Sequence, residues 1–280
     1  MNKPVLRYYG GKWKLAPWII KHFPPHEVYV EPFAGALSVL LQKPPVTLEA
    51  ANDIEGRVVN FFRVLRDRPE ELLHHIRLTP WAESEYRRAY EPSSDPLEDA
   101  RRFWVVCWQS VAGGPGRADG YAQSGFRFQR TVDNRFRSPA LDGIRIEHLL
   151  SAAERLKRVQ FLNRDALDMI RLYSDVPNAL LYVDPPYPAS SRTNRRGYTH
   201  ETVDYARLWD ALAEVQGYVV VSGYDHPAYA PLNAAGWRRV ERLAQTSGRT
   251  KRETLWLSPR TARALDARLP LLNLMQGVTA

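Results

Sequence analysis

The sequence predicts an α/β fold: a largely parallel sheet with helices on both faces, interrupted by a mostly helical insertion. Three observations carry this expectation. Short apolar stretches bounded by turn residues recur at 27–33, 47–53, 159–162, 179–183, 217–222 and 254–257. Helix-like segments separate most of them, and strands alternating with helices imply parallel pairing through crossovers. From about Pro69 to Arg158 the alternation gives way to helical patterning alone, punctuated by Pro80, Pro92 and Pro96.

Glu27 to Phe33 alternates apolar and polar residues and runs into Ala34 and Gly35. Leu37, Val39, Leu40 and Leu41 follow at helix-like density, so strand, tight turn and helix are expected. Thr47 to Asp53 reads as a second strand. Ile54 to Leu65 sets Val58, Val59, Phe62 and Leu65 on one helical face. Gly113 to Pro139 has no clear period and is rich in Gly, Arg and aromatics, which suits an irregular arm or hairpin. Tyr205 to Val215 is an amphipathic helix. The expected organisation is one sheet domain from 1–56 and 157–280. An inserted domain at 57–156 carries the arm near 113–139.

Composition narrows the function. The chain has 280 residues, 44% of them hydrophobic, and a net charge of +8. No apolar run approaches the roughly 20 residues of a membrane span. The opening MNKPVLRYYGG lacks a secretory pattern, so a cytoplasmic protein is expected. The arginine-rich balance points to a polyanion. His74 and His75 lack ligand-spaced partners, and no metal is expected. The single cysteine, Cys107, excludes an intrachain disulfide and sits in an apolar run, which suits a buried thiol rather than a nucleophile. Val106 precedes it where a cytosine C5-methylating enzyme usually has Pro.

Two constellations carry chemistry. Glu31-Pro32-Phe33-Ala34-Gly35 ends a strand with small residues that let the backbone approach a ligand. Asn52-Asp53 ends the next strand about 20 positions on, where a carboxylate grips ribose hydroxyls. Asp53 alone also suits a helix N-cap. Farther along, the apolar run Leu180 to Val183 ends in Asp184-Pro185-Pro186-Tyr187. Two prolines stop the strand and stiffen the turn. An aromatic amine is a poor nucleophile because its lone pair is delocalised. The Asp184 carboxylate and the Pro185 carbonyl can accept its two N–H groups and stabilise the positive charge that builds on nitrogen during transfer. Tyr187 can stack on the base.

With these residues in view, the chain resembles the alpha-class, Dam-like DNA adenine methyltransferases, most closely the type carried by phages and prophages. The resemblance covers nearly the whole chain. It begins at Tyr8-Tyr9-Gly10-Gly11-Lys12, continues through Glu31 to Gly35, and includes Asp53, Asn163-Arg164-Asp165-Ala166 and Asp184 to Tyr187. It implies a Rossmann-like class I methyltransferase sheet with an inserted target-recognition domain. It implies S-adenosyl-L-methionine as cofactor, S-adenosyl-L-homocysteine as product, and a flipped adenine in double-stranded DNA as target. It places Tyr8, Tyr9, Gly10, Lys12, Glu31, Phe33, Ala34, Gly35, Asp53, Asp165, Ala166 and Asp184 at the cofactor. A monomer is the family default and a homodimer is possible. Ser222 and Tyr224 are expected near the base, while Glu253 to Leu257 reads as a buried structural strand. Leu37 stands where the family often has a second glycine, and a Leu there is expected to narrow the pocket around the methionine moiety. Tyr9 also stands where a small residue is common.

For DNA, Arg117, Arg127, Arg130, Arg135 and Arg137 are interleaved with Tyr121, Phe126, Phe128 and Phe136. Arginines that pair with phosphate or guanine, mixed with aromatics that wedge or stack, suit a base-flipping enzyme. The loop Ala189 to Gly197, with Arg192, Arg195 and Arg196, is expected to act as a phosphate-contacting lid, with Tyr198 beside it. Two other readings stay open. Methylation of cytosine N4 or a protein glutamine more often carries Ser or Asn at the first position of the tetrapeptide. A DNA-binding protein with decayed catalysis would not need both Asp184 and Asp53.

Overall fold

The computed structural model describes residues 3–111, 125–131, 138–143, 145–188, 203–246 and 249–268. Seven strands form one sheet: β1 (Val28–Glu31), β2 (Leu48–Asn52), β3 (Val159–Leu162), β4 (Ala179–Val183), β5 (Tyr218–Tyr224), β6 (Arg238–Thr246) and β7 (Arg249–Leu257). Their order is β3-β2-β1-β4-β5-β7-β6. The first five are parallel, and β7 runs antiparallel between β5 and β6.

The helices are α1 (Ala16–Ile20), α2 (Gly56–Asp67), α3 (Pro69–Leu78), α4 (Glu83–Arg88), α5 (Pro96–Gln109), α6 (Pro139–Gly143), α7 (His148–Leu156), α8 (Ala166–Leu172), α9 (Tyr205–Ala213), α10 (Ala230–Ala234) and α11 (Pro259–Asp266). Their starts follow from sequence chemistry. Asp95 accepts the N–H groups of Leu97 and Glu98 ahead of α5, and Asp204 accepts that of Arg207 in α9. Pro96 and Pro259 occupy first-turn positions, where a missing N–H costs nothing. Pro96 therefore starts a helix as well as ending what precedes it.

β4 shows why its sequence is wholly apolar. Leu180 and Tyr182 face one core with Phe61 of α2, Phe103 of α5 and Leu149 of α7. Ala179, Leu181 and Val183 face the other with Met169 of α8 and Leu208 and Leu212 of α9. A strand covered on both faces has no polar side to show. The helices of the 57–156 segment thus share one core with a face of the sheet. Cys107 is fully buried within it. His74 and His75 lie exposed on α3.

A buried ionic cluster ties that segment to the sheet. Glu49 of β2 is fully buried, and its carboxylate accepts Lys43 Nζ at 2.7 Å and the Arg155 guanidinium of α7. Burial pushes the Glu49 carboxyl up, but the bonds from Arg155 and Lys43 outweigh it and hold the group below its usual range.

Two features differ from expectation. Residues 34–43 form consecutive turns rather than a helix; Leu37 and Ala34 close one, Leu41 and Leu37 the next. Their apolar density reflects burial, not helical period. The strand β6 has no signal in the sequence. It is a sheet edge in which Arg238, Arg239, Glu241 and Arg242 alternate with few apolar residues, and charge on an edge discourages pairing with another chain. Of the expected arm, the described part pairs antiparallel: Val111 N–H donates to the Gly125 carbonyl at 3.0 Å and Arg127 N–H to Gln109 at 2.6 Å. No helix among the described residues is long and apolar enough to cross a membrane.

Candidate active site

Parallel pairing brings the strand ends together. Val30 of β1 lies opposite Leu181 of β4, so the Glu31 and Asp184 turns leave the sheet side by side. β2 delivers Asn52 and Asp53 to the same edge, and β3 delivers Asn163 to Asp165 beyond them. Sheets of this kind bind ligands at the carboxyl edge.

Asn52, fully buried, locks these loops. Its amide donates to the carbonyls of Pro32 and Arg164, both at 3.0 Å, and its Oδ1 accepts the Arg164 N–H at 3.1 Å. Asp53 lies next to it. Oδ2 accepts the Gly35 N–H at 2.8 Å and Oδ1 accepts that of Glu55 at 2.9 Å. The N-cap of α2 is Glu55, not Asp53. The Asp53 carboxylate therefore bridges the turn after β1 and the residue that caps α2.

That turn needs left-handed backbone at Gly35 (φ +48°) and again at Leu37 (φ +52°). Glycine adopts this freely, whereas a Leu in it costs roughly 1–2 kcal/mol. The Leu37 side chain is fully buried in the core and does not line the cavity below. The expected narrowing of the pocket by Leu37 is thus corrected: the backbone keeps a glycine-like turn, and burial of the side chain opposes the strain.

A cavity of about 300 Å³ opens along this edge. Tyr8, Tyr9, Gly10 and Lys12 line it from the N-terminal segment, and Glu31, Phe33, Ala34 and Gly35 from the turn after β1. Asp53, Asp165, Ala166 and Asp184 line it from the ends of β2, β3 and β4. Asp165 also caps α8 by accepting the Leu167 N–H at 2.7 Å. Sequence reasoning missed a further wall: Val203, Asp204, Arg207 and Leu208 at the start of α9. Their only signal in the chain is the helix-capping Asp204.

At one end of the cavity Lys12 Nζ donates to Asp184 Oδ2 at 2.9 Å and to the Gly10 carbonyl at 2.8 Å. It also sits 4.7 Å from the centre of the Tyr187 ring. Burial pushes the Asp184 carboxyl above its ordinary value, and the charge of Lys12 opposes that push. The side chain keeps 18% of its exposure, so burial there is incomplete. Among the described residues Oδ1 has no hydrogen bond of ordinary geometry, although the Tyr187 and Ser222 hydroxyls lie near enough to act on the charge of the carboxylate. Glu31 is more deeply placed. Burial raises its carboxyl to about 8, while the Tyr29 hydroxyl at 2.7 Å and the Leu40 N–H at 2.9 Å both donate to Oε1.

Pro185 is buried, and the Pro186 carbonyl accepts the Tyr205 hydroxyl at 2.6 Å, which ties the turn to α9. Tyr187 is 5% exposed and lies behind the cavity wall. Its hydroxyl is 3.2 Å from Ser222 Oγ and 3.3 Å from Glu253 Oε2, and its ring meets Tyr224 edge-on at 4.4 Å. Among the described residues no His, Cys, Asp and Glu group could hold a metal ion.

Of the residues expected at DNA, Arg127 and Arg130 are described. Arg130 is exposed. The Arg127 guanidinium is half-buried and lies 3.9 Å from Asp142, and its carbonyl accepts the Trp81 indole N–H at 2.8 Å. Phe126 and Phe128 stack at 6.4 Å beside it, with Phe128 exposed. Arg117, Tyr121, Arg135, Arg137, Arg192, Arg195, Arg196 and Tyr198 lie outside the described residues.

Comparison with known proteins bears on this arrangement. Residues 8–215 match the model of the D12 class N6 adenine-specific DNA methyltransferases. The chain is 26% identical over 239 residues to the DNA adenine methylase of Escherichia coli K12, covering 80% of this chain and 81% of that one. It is 25% identical over 210 residues to the DNA adenine methylase of Serratia marcescens, covering 70% and 72%. It is 26% identical over 203 residues to that of Vibrio cholerae, covering 70% of each. The matched stretch runs from Tyr8 at the cavity through the turn of Asp184 to the end of α9, so the chain belongs to the D12 class N6 adenine-specific DNA methyltransferase family, and its reaction is methylation of the 6-amino group of adenine in DNA.

Proposed function

We propose that the cavity holds S-adenosyl-L-methionine and that Asp184 and Pro185 receive an adenine extruded from double-stranded DNA. The observation that carries this reading is the Lys12–Asp184 pair at one end of the cavity in which Asp53 stands. The donor set suits this cofactor. Asp53 Oδ2 accepts the Gly35 N–H and Oδ1 that of Glu55, which fixes the carboxylate at the cavity wall, the type of group that grips ribose hydroxyls. Gly35 adds no side chain, and among the described residues a Cβ there would meet only the Tyr8 ring, at 3.5 Å. The volume falls at the small end of ligand pockets.

When bound, the cofactor's sulfonium supplies an electrophilic methyl group. The protein does the rest by placement and electrostatics. The Asp184 carboxylate accepts one N–H of the adenine amine and the Pro185 carbonyl accepts the other. This aims the nitrogen lone pair and stabilises the charge that builds on it. Two prolines and the Tyr205 bond hold those acceptors still, so transfer is direct and needs no enzyme nucleophile. Tyr187, almost wholly buried and anchored through its hydroxyl, supports the end of the turn with its ring against Lys12 and Tyr224. Extrusion is required because the amine cannot meet both acceptors inside a duplex.

The test is Asp184→Ala, assayed with tritiated cofactor and genomic DNA lacking N6-methyladenine. Transfer should be abolished while cofactor and DNA still bind. Retained methylation would sink the assignment of Asp184.

A further inference from the structure

Glu253 stands at β7, opposite Tyr224 of β5, and only 4% of it is exposed. It lies beyond the 8–215 stretch matched to the family. A buried carboxyl is costly unless its oxygens are bonded. The Tyr187 hydroxyl donates to Oε2 at 3.3 Å, and Tyr224, directly opposite on β5, acts on the same carboxyl. The charge of Lys12 also acts on it, but no cation forms a close salt bridge with it among the described residues. Ser222 lies two residues before Tyr224 on β5, so its side chain leaves the same face. Its Oγ is 3.2 Å from the Tyr187 hydroxyl. Three side chains from two neighbouring strands thus converge on the residue that ends the catalytic turn. The Tyr187 and Tyr224 rings meet edge-on at 4.4 Å, interplanar angle 68°. An apolar residue at 253 would fill the space but would take the carboxylate acceptor from the buried Tyr187 hydroxyl and from beside the half-buried Tyr224.

We propose that Glu253 is a positioning residue: it holds the rings of Tyr187 and Tyr224 as one rigid support behind Asp184, and that support fixes the turn that receives the target base. The proposal rests on the reading of Asp184 to Tyr187 as the catalytic turn. Glu253 touches neither substrate nor cofactor; it acts through the two phenols. What it supplies is acceptor geometry, which a glutamine carbonyl reproduces and an alanine does not.

The experiment compares Glu253→Ala, Glu253→Gln and Asp184→Ala in the full chain. Steady-state methylation of genomic DNA lacking N6-methyladenine is measured alongside thermal melting. Glu253→Ala should lower kcat roughly 10²-fold, the scale of an ångström-sized misplacement. KM for cofactor and for DNA should stay within about threefold, because binding groups are untouched. Glu253→Gln should restore most of kcat. Equal activity of Glu253→Ala and the parent overturns the proposal, as does a Glu253→Gln variant impaired as severely as Glu253→Ala. If Glu253→Ala does not fold, Tyr187→Phe cuts the same link from the other side: a comparable fall in kcat supports the proposal and unchanged kcat overturns it. Asp184→Ala separates the two levels. Transfer by that variant removes the catalytic turn itself, whereas an inactive Asp184→Ala beside a fully active Glu253→Ala removes only the role of Glu253.

Discussion

At the scale of single residues, the site is governed by where charge is allowed to sit. Burial raises Asp184, Glu31 and Glu253 alike, and Lys12 is the cation in contact with Asp184. Replacing Lys12 with Gln removes the charge that opposes the effect of burial on Asp184, so its carboxyl rises further. The mechanism proposed above needs an ionised acceptor. The acid limb of the kcat–pH profile should therefore move to higher pH in Lys12→Gln, with partial recovery of activity on the alkaline side; an unmoved limb would remove Asp184 as the titrating group. Glu31 gives a stability prediction of defined sign. Its folded value of about 8 lies above its ordinary 4.5, so the native state holds the proton more tightly than the unfolded chain. Stability from this group is fully present below about pH 4.5 and is lost as pH rises through about 8. Glu31→Gln keeps a carbonyl for Tyr29 and Leu40 but cannot ionise. In cofactor-free melting curves, its Tm relative to the parent should rise between about pH 5 and about pH 9. A constant difference would mean that Glu31 stays ionised.

At the scale of elements, legibility in the sequence followed burial on two faces. β4 was readable because it is apolar throughout, and its end announces Asp184. β6 was not, because an edge strand can carry Arg and Glu on most of its length. The turns after Gly35 resembled a helix because Leu37, Val39 and Leu40 are all buried, and burial alone does not specify period. The Asp53 and Asp184 positions could be read from local chemistry at strand ends. The pairing of Lys12 with Asp184 could not, since its partners are 172 positions apart and Lys12 lies before α1, on no strand of the sheet. The wall from α9 was hidden for a similar reason: Arg207 and Leu208 look like ordinary first-turn residues of an amphipathic helix. The link between α7 and β2 is testable at this scale. Glu49→Ala leaves Lys43 and Arg155 buried without their shared partner, which should cost about 3–5 kcal/mol in urea unfolding. A loss below about 1 kcal/mol would place the cluster among ordinary surface pairs.

At the scale of the whole molecule, the +8 charge and the DNA substrate belong together. Arg127 and Arg130, equal in the sequence, are unequal in the structure. Arg127 faces Asp142 and helps to seat the segment at Trp81, while Arg130 is exposed. Arg130→Ala should weaken DNA binding and reduce the slope of log K against log salt by roughly one, as loss of one phosphate contact does. An unchanged slope would move the phosphate-binding surface elsewhere on the chain.

The sheet order has a consequence for how the molecule is made. β1 is a central strand, but one of its two neighbours, β4, is translated roughly 150 residues later, long after β2. Until then the backbone groups of Val28 to Val30 on that side have no ladder partner. A nascent or truncated chain ending before Ala179 therefore carries an open edge next to the buried rings of Tyr29 and Phe23, the type of surface that other chains pair with. The helices made in the interval cover a face of the sheet, not its edge. A chain cut short before β4 is expected to associate with other chains along that edge.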